Sequence, residues 1–341
     1  MHRKATMKRI RIDLEQIAGH ANLTLALHKA ASGKRHRDQI SRFLQQAEKN
    51  LNQLAQAILD GRMPYGDFRS FIIHDPKRRT IHAACFEDRV FHHALINLAG
   101  PVLERAMLPT SFACRPALGV HRAAESVQQS IRRYGWYGKI DIDSYFACID
   151  QVILLSTLLR RFKGQAFEAQ LQRLLACYHT QPGKGLPIGS LTSQYFANYY
   201  LDGLDRLLSG LPEVRAHVRY MDDIVWWCDD KHQVQETLLR VQNWLHEQRQ
   251  LTVKPNWQIQ RSDQGIRFCG YRILPGVMRM SIRRKRRYQQ RRLYWEHQCR
   301  QEWITPAQLQ TAYAAVHSIT QGTDSLGWRR GNLLQHPALG V

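Results

Sequence analysis

Apolar residues recur along much of the chain at the spacing of helices. They lie three and four positions apart over residues 14–60, and Gly61, Pro64 and Gly66 then end the helical stretch. The same spacing predicts further helices over residues 86–97, 151–178, 195–208, 233–249 and 306–319. Pro101 is expected to end the first of these, because proline lacks the backbone N–H that a helix interior requires.

Other segments have the composition and alternation of strands. Residues 68–74 are predicted to begin a strand. Residues 75–82 are predicted to form a basic turn that leads into a second strand. Residues 136–146 are typical of a strand that ends in a turn into a helix. Residues 265–273 favour a strand, a turn and another strand.

Residues 218–227 place two adjacent acids between two short apolar runs. The runs are β-branched or aromatic, which predicts two half-buried strands with Met221, Asp222 and Asp223 at the turn. Neighbouring carboxylates in a tight turn repel each other unless a cation neutralises them, and Mg²⁺, which prefers oxygen ligands, is the usual partner. The alternative is a solvated turn, which is common for an Asp-Asp pair alone. Tyr-Met-Asp-Asp within apolar flanks is much rarer by chance.

A metal site for phosphoryl transfer needs a further carboxylate from elsewhere in the fold, and the chain has two candidates upstream. In residues 136–146, Ile140 and Ile142 alternate with Asp141 and Asp143. The isoleucines are predicted to share the core face of a strand and the acids the opposite face. Periodicity does not choose between the two acids, and a plain polar strand face is the alternative.

These two segments together resemble motifs A and C of the palm domain of reverse transcriptases. Motif A is matched by Asp141 followed by Phe146, and motif C by Tyr-Met-Asp-Asp at residues 220–223. The resemblance places the metal-binding acid of motif A on Asp141, leaves Asp143 as a flanking residue, and implies that the backbone carbonyl of Ile142 binds the second metal. The implied cofactor is a pair of Mg²⁺ ions, with Mn²⁺ as a substitute, held by the motif A acid and both acids of the hairpin.

The resemblance also implies a fold class and a division into domains. The expected fold is α+β, that of a right-hand polymerase with fingers and palm, in which an antiparallel sheet is backed by helices, and a helical thumb. The expected domains are an N-terminal helical extension over residues 1–66, fingers over 67–134, a palm with an interleaved fingers segment over 135–275, a helical thumb over 276–325 and a loose tail over 326–341. The likeness spans about residues 28–290.

Several residues are expected to bind the incoming nucleotide. In the family, a lysine and an arginine of the fingers hairpin clamp the triphosphate, and by motif position these are Lys77 and Arg79. A lone basic turn is otherwise usually solvated. Phe146 is expected beneath the sugar, where it would exclude a 2′-OH and so select dNTPs. Gln194 offers donors to the template or the nucleotide.

A loop at residues 111–122 resembles the family segment that supports template and nucleotide, and Arg115 is its most suggestive residue. An arginine that pairs with a structural carboxylate is the competing interpretation.

The segment 185–194 indicates the subfamily. Most bacterial reverse transcriptases have Gln-Gly and Ser-Pro at its two ends, whereas this chain has Ile188-Gly189 and Ser193-Gln194. That variant is similar to the reverse transcriptases of diversity-generating retroelements, as is the Ala-Cys-Arg-Pro loop at 113–116. Ile188 and Gly189 are expected near the template, where glycine lets the backbone approach a base pair closely.

Membership of that subfamily implies a template RNA copied into cDNA with frequent substitutions at template adenines, and a small basic accessory protein oligomer as partner. A phage-defence reverse transcriptase of similar size is an alternative. A retron enzyme is disfavoured because it would show the Ser-Pro form of the motif, and a group II intron maturase because the chain lacks room for a maturase domain and an endonuclease. A non-catalytic RNA-binding scaffold with a relic palm is the alternative from a different class.

Motif D falls on residues 251–259. The family often has a lysine after the proline to protonate the leaving pyrophosphate, but Trp257 occupies that place here. Lys254 is the nearest candidate for the general acid, and a structural lysine is the alternative.

The C-terminal part of the chain is expected to hold the primer and the RNA/cDNA hybrid. Residues 265–273 resemble the primer grip, and residues 279–300 carry nine Arg or Lys against the single acid Glu296, as suits a thumb helix on phosphate backbones. The residues expected at the primer or duplex are Tyr220, Met221, Gly270, Arg283, Arg284 and Arg287.

Composition supports a polyanionic partner. The chain of 341 residues has 49 Lys and Arg against 28 Asp and Glu, a formal net charge of +21. Such an excess favours nucleic acid, because each neutralised phosphate releases condensed counterions. Charge alone fits any nucleic-acid binder, including a ribosomal-type protein, and carries no information about catalysis.

The cysteines and the hydropathy indicate a compartment. The seven cysteines are scattered without a zinc-type spacing, which favours a reducing environment. No apolar run approaches 18 residues and the first twelve residues are basic and mixed, so a cytoplasmic protein with no membrane partner is expected.

Overall fold

The computed structural model describes residues 8–74 and 78–339. Its helices are α1 Leu14–Ala18, α2 His20–Ala31, α3 Asp38–Gln45, α4 Ala47–Leu59, α5 Phe86–Ala106, α6 Val120–Arg133, α7 Tyr145–Cys148, α8 Gln151–Leu159, α9 Gln165–Ala176, α10 Leu191–Tyr200, α11 Asp202–Gly210, α12 Lys231–Arg249, α13 Ile282–Arg300, α14 Pro306–Ser318 and α15 Leu326–Gln335.

The strands form four sheets within the described residues. They are β1 Ile10–Arg11, β2 Phe68–Ile73, β3 Arg79–Ala84, β4 Trp136–Asp141, β5 Phe162–Lys163, β6 Ala216–Tyr220, β7 Asp223–Cys228, β8 Gln258–Arg261, β9 Ile266–Phe268, β10 Tyr271–Leu274 and β11 Val277–Met280. The orders are β1-β5, β2-β3, β6-β7-β4-β8 and β11-β10-β9. Strands β1 and β5 are parallel, whereas the pairs β2–β3, β4–β8, β6–β7, β9–β10 and β10–β11 are antiparallel.

The chain divides into two compact units. The first consists of Met1–Arg115, Asp141–Leu208 and Leu239–Pro255. Its core is built on α5, against which α2 and α10 pack. The β2–β3 hairpin that the sequence predicted belongs to this unit, with Phe68 opposite Ala84 and Ile73 opposite Arg79.

Helix α5 does not end at Pro101 as the sequence predicted. It continues to Ala106 with the proline inside it. Proline removes one intrahelical hydrogen bond at a cost of ~3 kcal/mol or more. Ala99 and Leu103, on either side of the proline, are both fully buried, and burial of this face offsets that cost.

The second unit consists of Pro116–Ile140, Ser209–Leu238 and Asn256–Val341. Its four-stranded sheet carries the hairpin of β6 and β7, in which Val218 lies opposite Val225. Trp226 and Trp227, one on each face of β7, are both fully buried. Gly138 of β4 makes room for the first indole, because a Cβ atom at this position would lie 2.3 Å from Trp226 Cζ2.

The C-terminal segment is helical, in contrast to the loose tail that the sequence predicted. Helix α15 packs Trp328 edge-on against Tyr288 of α13 at 5.5 Å between ring centroids. Asn332 is buried, and Arg292 of α13 donates a hydrogen bond to the carbonyl of His336 just beyond the helix. These contacts join positions about forty residues apart, and the polar composition of the segment does not reveal them.

The remaining predicted elements agree with the structure to within a few residues. Strands β1, β5, β8 and β11 were not predicted. Strand β11 takes the first two residues of the stretch assigned to the basic helix, so that α13 begins at Ile282. The five-domain division stays a prediction. Among the described residues, the longer helices all carry too much charge or too little apolar sequence to span a bilayer.

Gly138→Ala is expected to destabilise the protein by about 1–3 kcal/mol, because the added methyl group overpacks a fully buried indole. The measurement is the free energy of unfolding in urea. Gly331→Ala in α15 is the control, since nothing lies within 4 Å of a Cβ at that position, and its helix should gain up to ~1 kcal/mol. Equal effects at both positions would contradict the packing argument.

Candidate active site

The acidic hairpin has the form that the sequence predicted, with one difference. The turn consists of Met221 and Asp222, whereas Asp223 is the first residue of β7 and pairs with Tyr220. Met221 has a φ of 55°, a left-handed conformation that is unfavourable for a residue with a side chain. Buried Arg219 supports this turn, because its guanidinium donates a hydrogen bond to the carbonyl of Met221.

Asp223 lies against a lysine of the neighbouring strand. The ammonium of Lys139 is 3.2 Å from Asp223 Oδ1 and donates a hydrogen bond of 2.8 Å to the carbonyl of Arg267. Cys269 is close to the same group of charges. Its pKa is raised well above the usual value, first by burial and then by the charge of Asp223.

Asp141, which belongs to the first unit, also contacts a lysine. The ammonium of Lys254 lies 2.8 Å from Asp141 Oδ1, and the backbone N–H of Lys254 donates to the carbonyl of Asp141 at 2.9 Å. Ile142 is fully buried and bridges to Val253, while Asp143 is exposed. The structure thus distinguishes the two acids that periodicity left equivalent, and it places the candidate general acid in contact with the predicted metal ligand.

The donor set of these acids fits a hard divalent cation. Carboxylate oxygens are the ligands that Mg²⁺ prefers, and both Asp141 and Asp223 lie against a lysine ammonium, so each is already at a position that attracts positive charge. Among residues 8–74 and 78–339, no three His, Cys, Asp or Glu side chains are grouped as a formed metal site. The convergence of Asp141 with Asp222 and Asp223 stays a prediction.

The segment 185–194 is attached to the β2–β3 hairpin through its backbone. The carbonyl of Ile188 accepts a hydrogen bond of 2.8 Å from the N–H of His82 in β3. Gly189 has a φ of 115°, and a Cβ atom here would lie 2.8 Å from a methyl carbon of Ile81. Only glycine therefore fits at 189, whereas the half-buried side chain of Ile188 is not fixed by this contact.

The other end of this segment rests on residues that follow Asp141. The N–H of Leu186 donates to the carbonyl of Phe146 at 2.8 Å, and the N–H of Gly185 to the carbonyl of Ile149 at 2.9 Å. Phe146, half-buried, packs its ring edge-on against Tyr145 at 5.7 Å. The first unit therefore holds the predicted sugar-binding aromatic and the subfamily segment in direct hydrogen-bonded contact.

A buried polar cluster beneath this segment was not foreseen as part of the site. Ser190 Oγ lies 2.9 Å from Thr192 Oγ1 and 3.2 Å from Nδ1 of His92 on α5. Burial lowers the pKa of His92 to about 3, so the ring is neutral at physiological pH. Its burial and its contact with Ser190 make His92 a histidine of the protein core. The only signal in the sequence was a polar residue at a core position of an apolar helix.

The residues expected at the nucleotide differ in what the structure describes. Lys77 lies outside the described residues. Arg79 is exposed at the start of β3, and Gln194 is half-buried in the first turn of α10. Their roles stay predictions.

Arg115 has the structural role that the sequence left as the competing interpretation. Its side chain is 8% exposed and pairs with Glu104 at 2.7 Å, which leaves little of it for a template. The guanidinium also donates to the carbonyls of Leu108, Ser111 and Glu104. Burial of the charge requires these acceptors, and together they fix the loop that follows α5.

Gly270 and the three arginines expected at the primer or duplex lie in different surroundings. Gly270 follows Cys269 in a turn where both have positive φ, 80° and 48°. Arg284 lies with its guanidinium 4.1 Å from the ring centroid of Tyr271, so it packs within the protein. Arg283 and Arg287 are on the exposed side of α13.

One arginine of α13 belongs to the core and not to the basic surface. Arg292 is 2% exposed and lies 3.5 Å from Glu296, the only acid of the helix. The basic surface of α13 is therefore smaller than the count of nine cations suggested.

The β6–β7 hairpin carries a pair of acids, and β4 ends in a third acid, Asp141. Residues 74–273 match the reverse transcriptase (RNA-dependent DNA polymerase) family, and the chain belongs to that family. The expected α+β fold of a right-hand polymerase is thereby confirmed, with 55% of the described residues helical and 16% in strands.

Two curated relatives are similar over part of their length. Nuclear intron maturase 2, a mitochondrial protein of Arabidopsis thaliana, is 25% identical over 130 residues, which are 33% of this chain and 18% of the relative. The group II intron-encoded protein LtrA of Lactococcus lactis subsp. cremoris is 23% identical over 172 residues, 48% of this chain and 28% of the relative. The chain thus spans less than a third of either relative.

Among solved structures, telomerases are similar in part. Telomerase from Candida albicans, in complex with a fragment of telomeric RNA, has a TM-score of 0.43 at 12% identity, over 63% of this chain and 46% of that one. Apo telomerase from Candida tropicalis, truncated from its C-terminal domain, has a TM-score of 0.46 at 10% identity, over 63% and 55%.

Arg115→Met is expected to lower the free energy of unfolding by about 3 kcal/mol or more, since it leaves the partly buried Glu104 carboxylate without its partner. The affinity of the folded protein for RNA should not change, because the guanidinium is already occupied. Urea unfolding and fluorescence anisotropy measure the two quantities. Arg122→Met, at an exposed arginine, is the control. A loss of RNA affinity with unchanged stability would instead assign Arg115 to the template.

Proposed function

We propose that this protein is an RNA-directed DNA polymerase that copies a template RNA into cDNA. The observation that carries the proposal is the family match over residues 74–273, which includes Asp141 and the whole acidic hairpin. A relic palm would be expected to have lost at least one of the three acids, and this chain retains all three. The net charge of +21 supports template RNA and the RNA/cDNA hybrid as partners, with dNTPs as substrates.

In this proposal Asp141, Asp222 and Asp223 hold two Mg²⁺ ions, with the carbonyl of Ile142 as a further ligand. The bound ions would lower the pKa of the primer 3′-OH and neutralise the charge that develops on the leaving pyrophosphate. Lys254 Nζ lies 2.8 Å from Asp141 Oδ1, and this closeness to a proposed metal ligand supports Lys254 as the donor to pyrophosphate, since Trp257 stands where the family often has a lysine.

We further propose the adenine-mutagenic enzyme of a diversity-generating retroelement, with a small basic accessory oligomer as partner and the cytoplasm as its location. The support is the pair Ile188-Gly189 and Ser193-Gln194 together with the Ala-Cys-Arg-Pro loop. The hydrogen bond from His82 to the Ile188 carbonyl fixes the backbone of this segment. A different side chain at 188 therefore changes the surface offered to a templating base without moving the segment.

Asp223→Asn is expected to reduce primer extension by more than about 100-fold, since even outer-shell partners of a metal ligand contribute about 10- to 100-fold. RNA affinity should be retained, because phosphate contacts are made by cations. Asp143→Asn is the matched control, as the same change at an exposed flanking acid. Extension by Asp223→Asn at the wild-type rate would refute the metal assignment. No extension by the wild type would favour the scaffold alternative.

Ile188→Gln is expected to lower the frequency of substitutions at template adenines on a fixed RNA, because glutamine would pack against the templating base as in most bacterial relatives. The cDNA is sequenced and errors are counted separately for each template base. Ile72→Gln, the same change on the exposed side of β2, should leave the spectrum unaltered. An unchanged adenine error rate in Ile188→Gln would refute the role of this residue and leave the polymerase assignment intact.

A further inference from the structure

Lys139 has a set of contacts that no assigned role uses. It lies in the middle of β4, and its side chain is only 18% exposed. Its ammonium is 3.2 Å from Asp223 Oδ1, 2.8 Å from the carbonyl of Arg267 and 5.6 Å from the ring centroid of Phe268. All of these groups belong to the second unit. A solvated strand lysine would make none of these contacts.

The position of Lys139 in the sheet fixes the direction of its side chain and so its contact with Asp223. Side chains alternate along a strand, so Lys139 lies on the same face of β4 as Tyr137, whereas Gly138 faces Trp226. Tyr137 is fully buried, and its hydroxyl donates to the side-chain carbonyl of Gln260. The strand cannot rotate without breaking both packings, so the lysine stem is aimed at Asp223.

The same lysine joins two sheets. Asp223 begins β7 of the four-stranded sheet, and Arg267 is the middle residue of β9 in the three-stranded sheet. The two residues that follow β9, Cys269 and Gly270, form a left-handed turn, and Gly270 is the residue that the sequence assigned to the primer. A shift of Lys139 would therefore disturb its contacts both with the acidic hairpin and with the strand that leads to this turn.

The charge of Lys139 has a predictable effect on a divalent cation at Asp223. A metal ion on this carboxylate would lie within several ångström of the ammonium, and like charges at that separation repel. A lysine that holds the carboxylate in place therefore also weakens its attraction for the metal. The two effects differ in sign and can be separated by experiment.

We propose that Lys139 is a positioning residue that anchors the Asp223 carboxylate to β9 and limits how tightly this carboxylate binds a divalent cation. The role deepens the proposed polymerase function and rests on it for its consequence in catalysis. Its effect on metal binding does not require the protein to be an active polymerase.

The test measures Mn²⁺ binding to the full chain without nucleic acid, by electron paramagnetic resonance of the free ion. Lys139→Met should bind Mn²⁺ about three- to fivefold more tightly, the size expected for one partly exposed charge. The Mg²⁺ concentration for half-maximal primer extension should fall in parallel, while the rate at saturating Mg²⁺ falls because the carboxylate has lost its anchor. Lys139→Arg keeps the charge and should restore wild-type Mn²⁺ affinity.

Two controls separate this role from a general effect of charge or folding. Lys231→Met removes one charge from the exposed start of α12 and should leave Mn²⁺ binding unchanged. In an Asp223→Asn background, Lys139→Met should no longer alter Mn²⁺ binding, because the coupled partner is gone. Lys139→Gln serves as a second neutral variant if the methionine variant does not fold.

The proposal is overturned if the neutral variants bind Mn²⁺ with unchanged or weaker affinity, or if Lys231→Met produces the same change. Tighter Mn²⁺ binding in a protein that extends no primer would keep the role of Lys139 and refute the polymerase assignment. The two failures are therefore distinguishable.

Discussion

The carboxylates of Asp141 and Asp223 each lie against a lysine ammonium, and this pairing stabilises the two acids in the absence of a metal ion. A carboxylate among like charges is costly unless a cation lies against it. Here Lys254 contacts Asp141 and Lys139 contacts Asp223, at 2.8 and 3.2 Å. Both lysines are also tied to backbone, Lys254 through its own N–H and Lys139 through its ammonium. The surrounding structure thus holds the cations, and the cations hold the acids. The chain has a net charge of +21 and many cations, but these two lysines are held in place by their contacts with the backbone.

Local patterns were sufficient for the elements that position the site. The β-branched and aromatic flanks of the acidic pair define β6 and β7, and the alternation around Ile140 defines β4, because half-buried strands leave a period of two in the sequence. The patterns failed where distant contacts decide. Pro101 is tolerated because both neighbouring turns of α5 are buried, and α15 forms on Tyr288 and Arg292, which lie more than thirty residues away in the chain. No window of sequence contains both partners of such contacts.

The same distinction separates the site residues that were foreseen from those that were not. Asp222 and Asp223 are adjacent in the chain, so their mutual repulsion can be inferred from sequence alone. The partner of Arg115 is Glu104, eleven residues upstream in a helix, and the sequence favoured a template contact, with a structural pairing as the competing interpretation. Lys139 was overlooked because a lysine in a strand is usually solvated. Its importance appears only when Asp223, Arg267 and Phe268 are brought around it.

The segment at 185–194 combines a fixed backbone with a side-chain position that can vary. Its backbone is held at both ends, by His82 through the carbonyl of Ile188 and by Phe146 through the N–H of Leu186. Neither bond involves a side chain of the segment, so each survives substitution. Gly189 is constrained because Ile81 leaves no space for a Cβ atom. The side chain at position 188 can therefore change in chemistry while its backbone stays in place.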